Sequence, residues 1–278
     1  MGVSTTSQYG MYDVCIVGAG PQGLAVLSAL RAKHKQLGSG GQDPHVCVID
    51  PSGTWMHNWD ASFRALNISY LRSPAWAHPD ACCQEAMVNF ARCQGRTCEL
   101  KCCSFHGSSL DSMSKLEGEY YTNPSTELFN DFCTNLTSTL PHDLIRGSVV
   151  DIIKQGQGIH CNKFEVDVHS HETGLSSKMI AAQVVLALGA GPCANIPAPF
   201  ELAHNQFDLS ANRCGRVIHS SDAKRLEVMQ SDLRADDTLL VIGGGLSAAQ
   251  VALLGAESGV ASTILCSRRP LVTRYLRC

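Results

Sequence analysis

Three glycines near the amino terminus have the spacing of a dinucleotide-binding turn. Gly18, Gly20 and Gly23 fit the pattern G-x-G-x-x-G. In that pattern the first glycine permits a tight turn, the second lets the backbone approach a pyrophosphate, and the third lets a helix pack close to a strand. A helix that begins at Pro21 and Gln22 would present free N–H groups and the positive end of its dipole to the phosphates. We therefore expect these five residues to bind the pyrophosphate of a dinucleotide.

An acidic residue ends the next apolar run of the chain. His45–Asp50 predicts a second strand, and in dinucleotide folds an acid at that place binds the ribose hydroxyls. Its distance from the glycines is longer than usual, which the Gly-rich loop at residues 36–44 accounts for. The alternative is that Asp50 is an ordinary turn residue before Pro51.

The order of strand, glycine turn and helix occurs again later in the chain. Here the pattern is G-x-G-x-x-A, with Ala248 in the third place, and the strand that follows ends at two arginines where the first site has Asp50. An acid there would repel the 2′-phosphate of NADP, whereas arginine binds it through charge-assisted hydrogen bonds. The first site therefore suits FAD, and the second suits NADP(H). The residues assigned to the second site are Gly243, Gly245, Ser247, Arg268 and Arg269.

Strands and helices must alternate to position these residues. A strand at Tyr12–Val17 precedes the first turn and an amphipathic helix follows from Leu24, while a strand at Asp237–Ile242 precedes the second turn. This order predicts an α/β, three-layer fold with two Rossmann-like dinucleotide-binding domains. Between the two turns, Val149–Ile153 and Phe164–Val168 are predicted to form a β-hairpin.

A glycine turn separates the two predicted domains. The apolar strand at Met179–Leu188 ends at Gly189, and we place the boundary near Ile196. This gives an FAD-binding domain over residues 1–196 and the start of an NADP(H)-binding domain over residues 197–278. The first domain is expected to carry a Cys-rich insertion at about residues 80–105.

Composition and charge exclude several classes of protein. A net charge of −3 without a basic tract argues against nucleic-acid binding. No apolar run is long enough for a membrane span and Met1–Gly10 is too polar for a secretory signal, so we expect a cytoplasmic protein whose 14 cysteines are mostly free thiols.

Gly2 fits the myristoylation pattern, although a polar disordered leader is favoured. The cysteines at 82–103 lack a C-x-x-C pair, so no metal is expected.

The segments after Asp50 resemble the class B flavin-dependent monooxygenases. That family has a Gly-x-Trp segment after the ribose-binding acid, and Gly53-Thr54-Trp55 stands at this place. Asn67–Arg72 is similar to the segment that lines the flavin in the lysine/ornithine N-hydroxylases. The resemblance implies that Trp55 belongs to the FAD site and that Asn67 lies near the reactive edge of the isoalloxazine.

The resemblance also assigns residues further along the chain. It implies that Val149 or Val150 touches the adenine, and that Gly189 belongs to the turn where the chain leaves the FAD domain. Arg72 stands where the family carries a lysine that contacts substrate or NADP. Because arginine is a rigid fork that binds carboxylates or phosphates bidentately, this departure leaves the substrate open.

The activity implied by the resemblance is that of an FAD- and NADPH-dependent monooxygenase. NADPH would reduce the flavin, O2 would form a C4a-peroxide, and the distal oxygen would pass to the amine nitrogen of a small molecule, such as an amino acid. Asn67 and Arg72 are the candidate catalytic residues. No residue stands out as a general base.

The chain ends one strand past the second glycine turn, whereas the resembled family completes the NADP domain and then returns to close the FAD domain. We therefore expect the closing part of the fold to be missing. Apolar strands at Val14–Val17 and Val184–Leu188 would be partly uncovered, so we expect the chain either to self-associate into homo-oligomers or to need a partner piece. Two other interpretations stay open: a catalytically silent nucleotide-binding module, and an NADPH oxidase-like flavoprotein that releases peroxide.

Overall fold

The computed structural model describes residues 10–38, 43–102, 122–156, 163–190, 194–205 and 216–270. These described residues divide into two compact units. Unit 1 takes those within Met1–His57, Arg72–Cys102 and Met113–Ala190, and unit 2 takes those within Asn58–Leu71 and Gly191–Cys278. The domain ranges expected from the sequence, 1–196 and 197–278, stay predictions.

Helices and strands alternate around both glycine turns, as predicted. The strands are β1 (Met11–Val17), β2 (Val46–Asp50), β3 (Leu100–Cys102), β4 (Thr122–Pro124), β5 (Asp143–Gln155), β6 (Lys163–Ser170), β7 (Ser176–Leu186), β8 (Thr238–Ile242) and β9 (Ser262–Cys266). The helices are α1 (Pro21–Gln36), α2 (His57–Ala65), α3 (Ala86–Cys93), α4 (Thr126–Thr139), α5 (Ala198–Asn205), α6 (Ala223–Asp232) and α7 (Leu246–Glu257), with a 3₁₀ turn at Thr97–Glu99. The predicted α/β fold is confirmed.

Unit 1 is built on a closed sheet of five strands in the order β1-β2-β5-β6-β7. β1 lies between β2 and β7 and is parallel to both, and β2 is parallel to β5. β6 pairs antiparallel with β5 and β7 and so closes the sheet, which confirms the predicted hairpin. Parallel neighbours need a crossover, and α1 supplies it between β1 and β2. The carboxyl ends of β1 and β2 therefore meet at one edge of the sheet.

Both faces of β1 are buried. Cys15 and Val17 belong to a cluster on the β5–β6–β7 side, whereas Val14 and Ile16 belong to a cluster with Leu27 of α1. The expectation that Val14–Val17 would be partly uncovered is therefore wrong, because the closed sheet covers one face of β1 and α1 covers the other. On β7 and beyond, by contrast, Leu186 and Leu188 are each 59% exposed.

The stretch at residues 80–102 contains a helix that is part of the packing of unit 1. α3 buries Met87 and Ala91 completely, and its Phe90 meets Phe132 of α4 edge-on at 5.6 Å between ring centroids. α4 begins at a side-chain cap, because Ser125 Oγ accepts the backbone N–H of Leu128 at 3.0 Å. A proline–serine pair is a typical sequence signal for the start of a helix, and α4 begins directly after it.

Unit 2 contains the parallel pair β8–β9 with α7 packed on one face. Val241 of β8 packs with Val251 and Leu254 of α7 in the core of this unit. Side chains of a strand alternate between its two faces, and within the described part of unit 2 no helix or strand covers the other face of this pair. Its members include Leu240 (56% exposed), Ile242 (56%) and Ile264 (49%).

Three further observations concern only the described parts of the chain. None of the helices there is long and apolar enough to cross a membrane. No group of three or more His, Cys, Asp or Glu side chains there is arranged to hold a metal ion, and the prediction of a metal-free protein stays a prediction. The cysteines found as free thiols are Cys15, Cys47, Cys82, Cys83, Cys93, Cys98, Cys133 and Cys266.

Candidate functional site

Two of the three glycines of the first fingerprint (Gly18, Gly20 and Gly23) are required by the fold itself. Gly18 has a φ of +112°, and a Cβ atom there would lie 2.4 Å from the carbonyl oxygen of Ala187. A Cβ atom on Gly23 would lie 2.1 Å from the carbonyl oxygen of Gly18. Neither position has room for a larger residue, which matches the roles of tight turn and close helix packing.

Gly20 differs, because none of the described residues lies in close contact with the position that a side chain would take there. The nearest atom to a Cβ atom there would be Oε1 of Gln22, at 3.9 Å. Gly20 is also the N-cap of α1, without a side-chain hydrogen bond, followed by Pro21 and with no acid in the first turn. The turn therefore offers space, free backbone donors and a positive dipole end, which are the features that an anionic group such as a pyrophosphate needs.

Asp50 fixes the glycine turn from the end of β2. Its Oδ2 accepts the backbone N–H of Ala19 at 3.0 Å, and its Oδ1 accepts the N–H of Ser52 at 2.9 Å and the hydroxyl of Ser52 at 2.5 Å. The side chain is buried. A carboxylate has about four lone-pair sites, so three bonds within the protein leave it little capacity for a ribose hydroxyl.

The loop after Asp50 also forms a hydrogen bond with the glycine turn. The backbone N–H of Met56 donates to the carbonyl of Ala19 at 2.8 Å, and Met56 is buried with a φ of 65°. A methionine in the left-handed region is uncommon and marks a conformation held by its surroundings. Trp55 packs against the cluster between α1 and the sheet, and its indole N–H donates to Nε2 of His142 at 2.9 Å.

The same backbone hydrogen bond forms in both fingerprints, between the first glycine and the strand that follows the helix. The backbone N–H of Gly18 donates to the carbonyl of Ile49 at 2.8 Å, and that of Gly243 donates to the carbonyl of Cys266 at 2.9 Å. Since Asp50 follows Ile49 and Ser267 follows Cys266, the position of the acid in the first unit is taken by Ser267 in the second.

The second turn, like the first, has an open place. Gly243 has a φ of +143°, whereas a Cβ atom on Gly245 would meet no atom of the described residues within 4 Å. Gly245 is the N-cap of α7 without a side-chain hydrogen bond, and Ser247 in the first turn is exposed. Arg268 and Arg269 follow Ser267 and are exposed. The Ser267 hydroxyl donates to the backbone carbonyl of Arg269 at 2.6 Å.

The two candidate catalytic residues fall in different units. Asn67 belongs to unit 2 and Arg72, which is exposed, belongs to unit 1. Asn67 has a φ of 49° and ends α2: its N–H donates to the carbonyl of Arg64, and the N–H of Ile68 donates to that of Phe63, both at 2.9 Å. This is a Schellman ending, in which Asn is a favoured left-handed residue. The helix end is therefore a sufficient structural reason for Asn67.

The remaining predicted cofactor residues lie at or beyond the carboxyl edge of the closed sheet. Asp50 pairs with Arg146 of β5, so Val149 and Val150 lie further along β5 than the end of β2. Val149 packs into the core, whereas Val150 is 62% exposed. Gly189 is exposed, with a φ of +61°.

Two thiols lie inside the sheet below the first fingerprint. Cys15 and Cys47 are neighbours on β1 and β2 and are fully buried. The pKa of the Cys47 thiol is raised, mainly by a hydrogen bond with Cys15 and in addition by burial. Because the thiolate is the reactive form, this pair favours packing over redox chemistry.

The residues that hold the first turn are not predicted by the sequence pattern. Ala19, Ser52, Met56 and His142 all contribute hydrogen bonds to this arrangement. Ser52 carried a signal, since serine soon after an aspartate commonly bonds it in a turn. His142 carried none, because it lies 87 positions from Trp55 in the chain.

Comparison with known proteins identifies the family. A family model described as pyridine nucleotide-disulphide oxidoreductase matches residues 12–277. The chain is 24% identical, over 264 residues, to an L-ornithine N(5)-monooxygenase of Cochliobolus heterostrophus, which covers 88% of this chain and 44% of that protein.

Solved structures show the same fold. An FAD-bound cadaverine monooxygenase from Erwinia amylovora matches with a TM-score of 0.61 and 18% identity, over 94% of this chain and 52% of that one. The ornithine hydroxylase from Pseudomonas aeruginosa matches with a TM-score of 0.61 and 19% identity, over 92% and 54%. The chain thus spans about half the length of these relatives. Since the family model matches nearly its whole length, the chain belongs to the pyridine nucleotide-disulphide oxidoreductase family.

Proposed function

We propose that this chain binds FAD at the first fingerprint and NADPH at the second, as part of a monooxygenase that hydroxylates an amine nitrogen of a small molecule. The observation that carries the proposal is the equivalence of Asp50 and Ser267: the first turn has a carboxylate at this position, whereas the second has a neutral hydroxyl followed by two arginines. The relatives named above, an ornithine monooxygenase and a cadaverine monooxygenase, support the choice of an amine.

The FAD site is proposed around the open face of Gly20. The backbone N–H groups at the start of α1 would bind the pyrophosphate, and Asp50 would hold the turn in place through Ala19. The exposed Val150, rather than the core residue Val149, is the better candidate for the adenine. Bound FAD would accept a hydride from NADPH and activate O2, which is chemistry that side chains do not supply.

The NADPH site is proposed around Gly245 in the same way. Arg268 and Arg269 would bind the 2′-phosphate, because both are exposed and the neutral Ser267 does not repel an anion. Arg72 and Asn67 stay the candidates for substrate contact. For Arg72 the chemistry is that of a planar fork that pairs with a carboxylate, such as that of an amino acid.

The apolar face of β8–β9 supports the expectation of self-association. Leu240, Ile242 and Ile264 lie together on one side of a parallel pair, and parallel sheets are normally buried on both faces. A second copy of the chain, covering the same face of its partner, is the proposed occupant.

The visible absorption spectrum of the purified chain is the first test. A flavin band, followed by NADPH oxidation and hydroxylamine formation with ornithine, lysine and small amines, would support the monooxygenase. Peroxide release at the same rate with and without an amine would favour the oxidase-like flavoprotein. A folded, colourless protein that binds no added FAD would overturn the proposal and favour the silent module.

A further inference from the structure

Hydrogen bonds to both ring nitrogens fix the protonation state of His142. Nε2 lies 2.9 Å from the indole Nε1 of Trp55, and because an indole N–H can only donate, Nε2 must accept. Nδ1 lies 2.7 Å from the carbonyl oxygen of Leu140, which can only accept, so Nδ1 must carry the hydrogen. Only the neutral imidazole with its proton on Nδ1 satisfies both partners.

Trp55 connects this histidine to the first fingerprint. The two rings meet edge-on, with centroids 5.3 Å apart and planes at 79°. The residue after Trp55 is Met56, whose N–H donates to the carbonyl of Ala19 from a left-handed conformation. Ala19 lies between Gly18 and Gly20, and its own N–H is bound to Asp50. Both backbone polar groups of Ala19 are thus held within the protein, the carbonyl by the loop that Trp55 anchors and the N–H by Asp50 at the end of β2.

We propose that His142 is a positioning residue for the first fingerprint: its neutral side chain anchors Trp55, and its protonation releases the loop at residues 51–56 that shapes the glycine turn. Protonation places a hydrogen on Nε2, which then faces the indole N–H, donor against donor. The bond to Trp55 is lost and the indole N–H is left without its acceptor. FAD bound at Gly20 is then held less tightly in acid. The last step alone rests on the proposed function, namely that FAD binds at this turn.

Protons can reach His142 from a cavity at the opposite edge of the sheet. This cavity has a volume of about 710 Å³ and lies where β1, β2 and β5 begin, and His142 forms part of its lining. The charged and titratable groups that share the lining are Asp13 on β1, Arg31 on α1, Asp43 before β2, His45, and Asp143 on β5.

The neighbouring groups have partners of their own. Arg31 donates to the carbonyls of Pro44 and Pro141. Asp143 accepts from the Tyr12 hydroxyl at 3.0 Å and lies 3.1 Å from His45 Nε2. His45 is the second imidazole of the cavity, so the test needs a control variant at that position.

The test follows Trp55 and FAD separately in the same chain. Trp59→Phe and Trp76→Phe leave Trp55 as the single tryptophan, and its emission is recorded without FAD from about pH 8 to about pH 5, the range in which histidine changes charge. We expect one emission step in this range. FAD affinity, measured by titration in the full chain, should fall about three- to tenfold over the same range, which corresponds to one hydrogen bond.

Three variants separate positioning from simple structural damage. His142→Gln keeps an acceptor for the indole but cannot be protonated, so the emission step and the pH dependence of FAD affinity should both disappear. His142→Phe removes the acceptor at every pH and should bind FAD weakly throughout. His45→Gln, the matched control in the same cavity, should retain both pH effects. Circular dichroism of each variant reports whether it is folded.

The outcomes are distinguishable. An unchanged emission step in His142→Gln would overturn the proposal, as would loss of the step in His45→Gln alone. If no variant and no wild-type chain binds FAD at any pH, the proposed function fails, and the Trp55 emission still decides whether His142 controls the loop. Emission steps that depend on His142 without any change in FAD affinity would overturn the link to the cofactor.

Discussion

Asp50 and Ser267 occupy equivalent positions in the two βαβ units. Each directly follows the residue whose carbonyl accepts the N–H of the first glycine, at 2.8 Å in unit 1 and 2.9 Å in unit 2. A buried carboxylate at one position and a neutral hydroxyl at the other, followed by two exposed guanidinium groups, favour different dinucleotides at otherwise similar turns. Cofactor selection can therefore be tested one position at a time.

We expect the double variant Arg268→Ala/Arg269→Ala to bind NADPH more weakly and NADH nearly unchanged. Each lost charge-assisted contact with the 2′-phosphate should cost about 1.5–3 kcal/mol of binding free energy. Titration of both nucleotides measures the difference. Lys224→Ala, which removes an exposed positive charge on α6, is the control and should affect neither. An equal loss for NADPH and NADH would contradict the phosphate assignment.

A single substitution at the equivalent position should also change the selectivity. Ser267→Asp places a carboxylate where the first unit has one, and that charge repels a 2′-phosphate but does not repel the hydroxyls of an unphosphorylated ribose. We expect the ratio of NADH to NADPH affinity to rise at least about tenfold, the equivalent of 1.4 kcal/mol. Ser267→Ala removes only the hydroxyl and should leave the ratio close to that of the wild type; a ratio that changes equally in both variants would exclude the charge effect.

The two glycines Gly20 and Gly23 should separate binding from folding. Gly20→Val meets nothing closer than 3.9 Å at its Cβ and has an ordinary extended backbone, so it should fold but lose FAD. Gly23→Ala forces a methyl group against the Gly18 carbonyl and should cost at least about 1–3 kcal/mol of unfolding free energy. Thermal unfolding without FAD and flavin content after purification are the two measurements. A Gly20→Val variant with full flavin occupancy would place the site elsewhere.

Short sequence patterns predict most of the helices, strands and turns, because each of these depends mainly on residues that are close together in the chain. The glycine spacing, the apolar runs before it and the proline–serine opening of α4 each specify a turn or an element within a few residues. The closure of the sheet, which requires β7 to pair with β1, and the bond between Trp55 and His142 depend on residues far apart in the chain, which a single sequence does not pair. The buried state of β1 was missed for that reason.

The role of Asp50 shows a second limit. The sequence predicts an acid at the end of β2, and the structure places it there, but its hydrogen bonds go to Ala19 and Ser52 within the protein. Asn67 is similar, since its left-handed conformation at the end of α2 has a structural cause. A motif identifies a position, and the partners that surround it decide the role.

We expect the uncovered face of β8–β9 to promote self-association. Leu240→Ser/Ile264→Ser removes two exposed apolar side chains from it, and should raise the monomer fraction at a given concentration in sedimentation velocity. Leu37→Ser/Leu175→Ser, which changes two exposed leucines of unit 1, is the matched control and should leave the distribution unchanged. Equal self-association of the wild type, the β8–β9 variant and the control variant would show that the copies do not associate through this face.

Stability in acid should depend on Glu99, which joins the 3₁₀ turn to the cap of α4. Arg96 donates to both of its carboxylate oxygens, at 2.6 and 3.0 Å, and the Ser125 hydroxyl donates to Oε2 at 2.5 Å. The hydrogen bond with Arg96 is the main cause that holds the pKa of Glu99 below its usual value of 4.5. Since the folded state favours the charged carboxylate, its contribution is fully present above that value and is lost as the pH falls below it.

The variant Glu99→Gln should therefore differ from the wild type in a pH-dependent way. At about pH 6 we expect it to be about 1–3 kcal/mol less stable, the contribution of a hydrogen bond to a charged group. Toward about pH 3 the difference should shrink, because the wild-type carboxyl becomes neutral as well. Urea unfolding at a series of pH values measures both, and Glu172→Gln, at an exposed position in the turn after β6, is the control. A stability difference that is the same at both pH values would show that the charge of Glu99 contributes nothing.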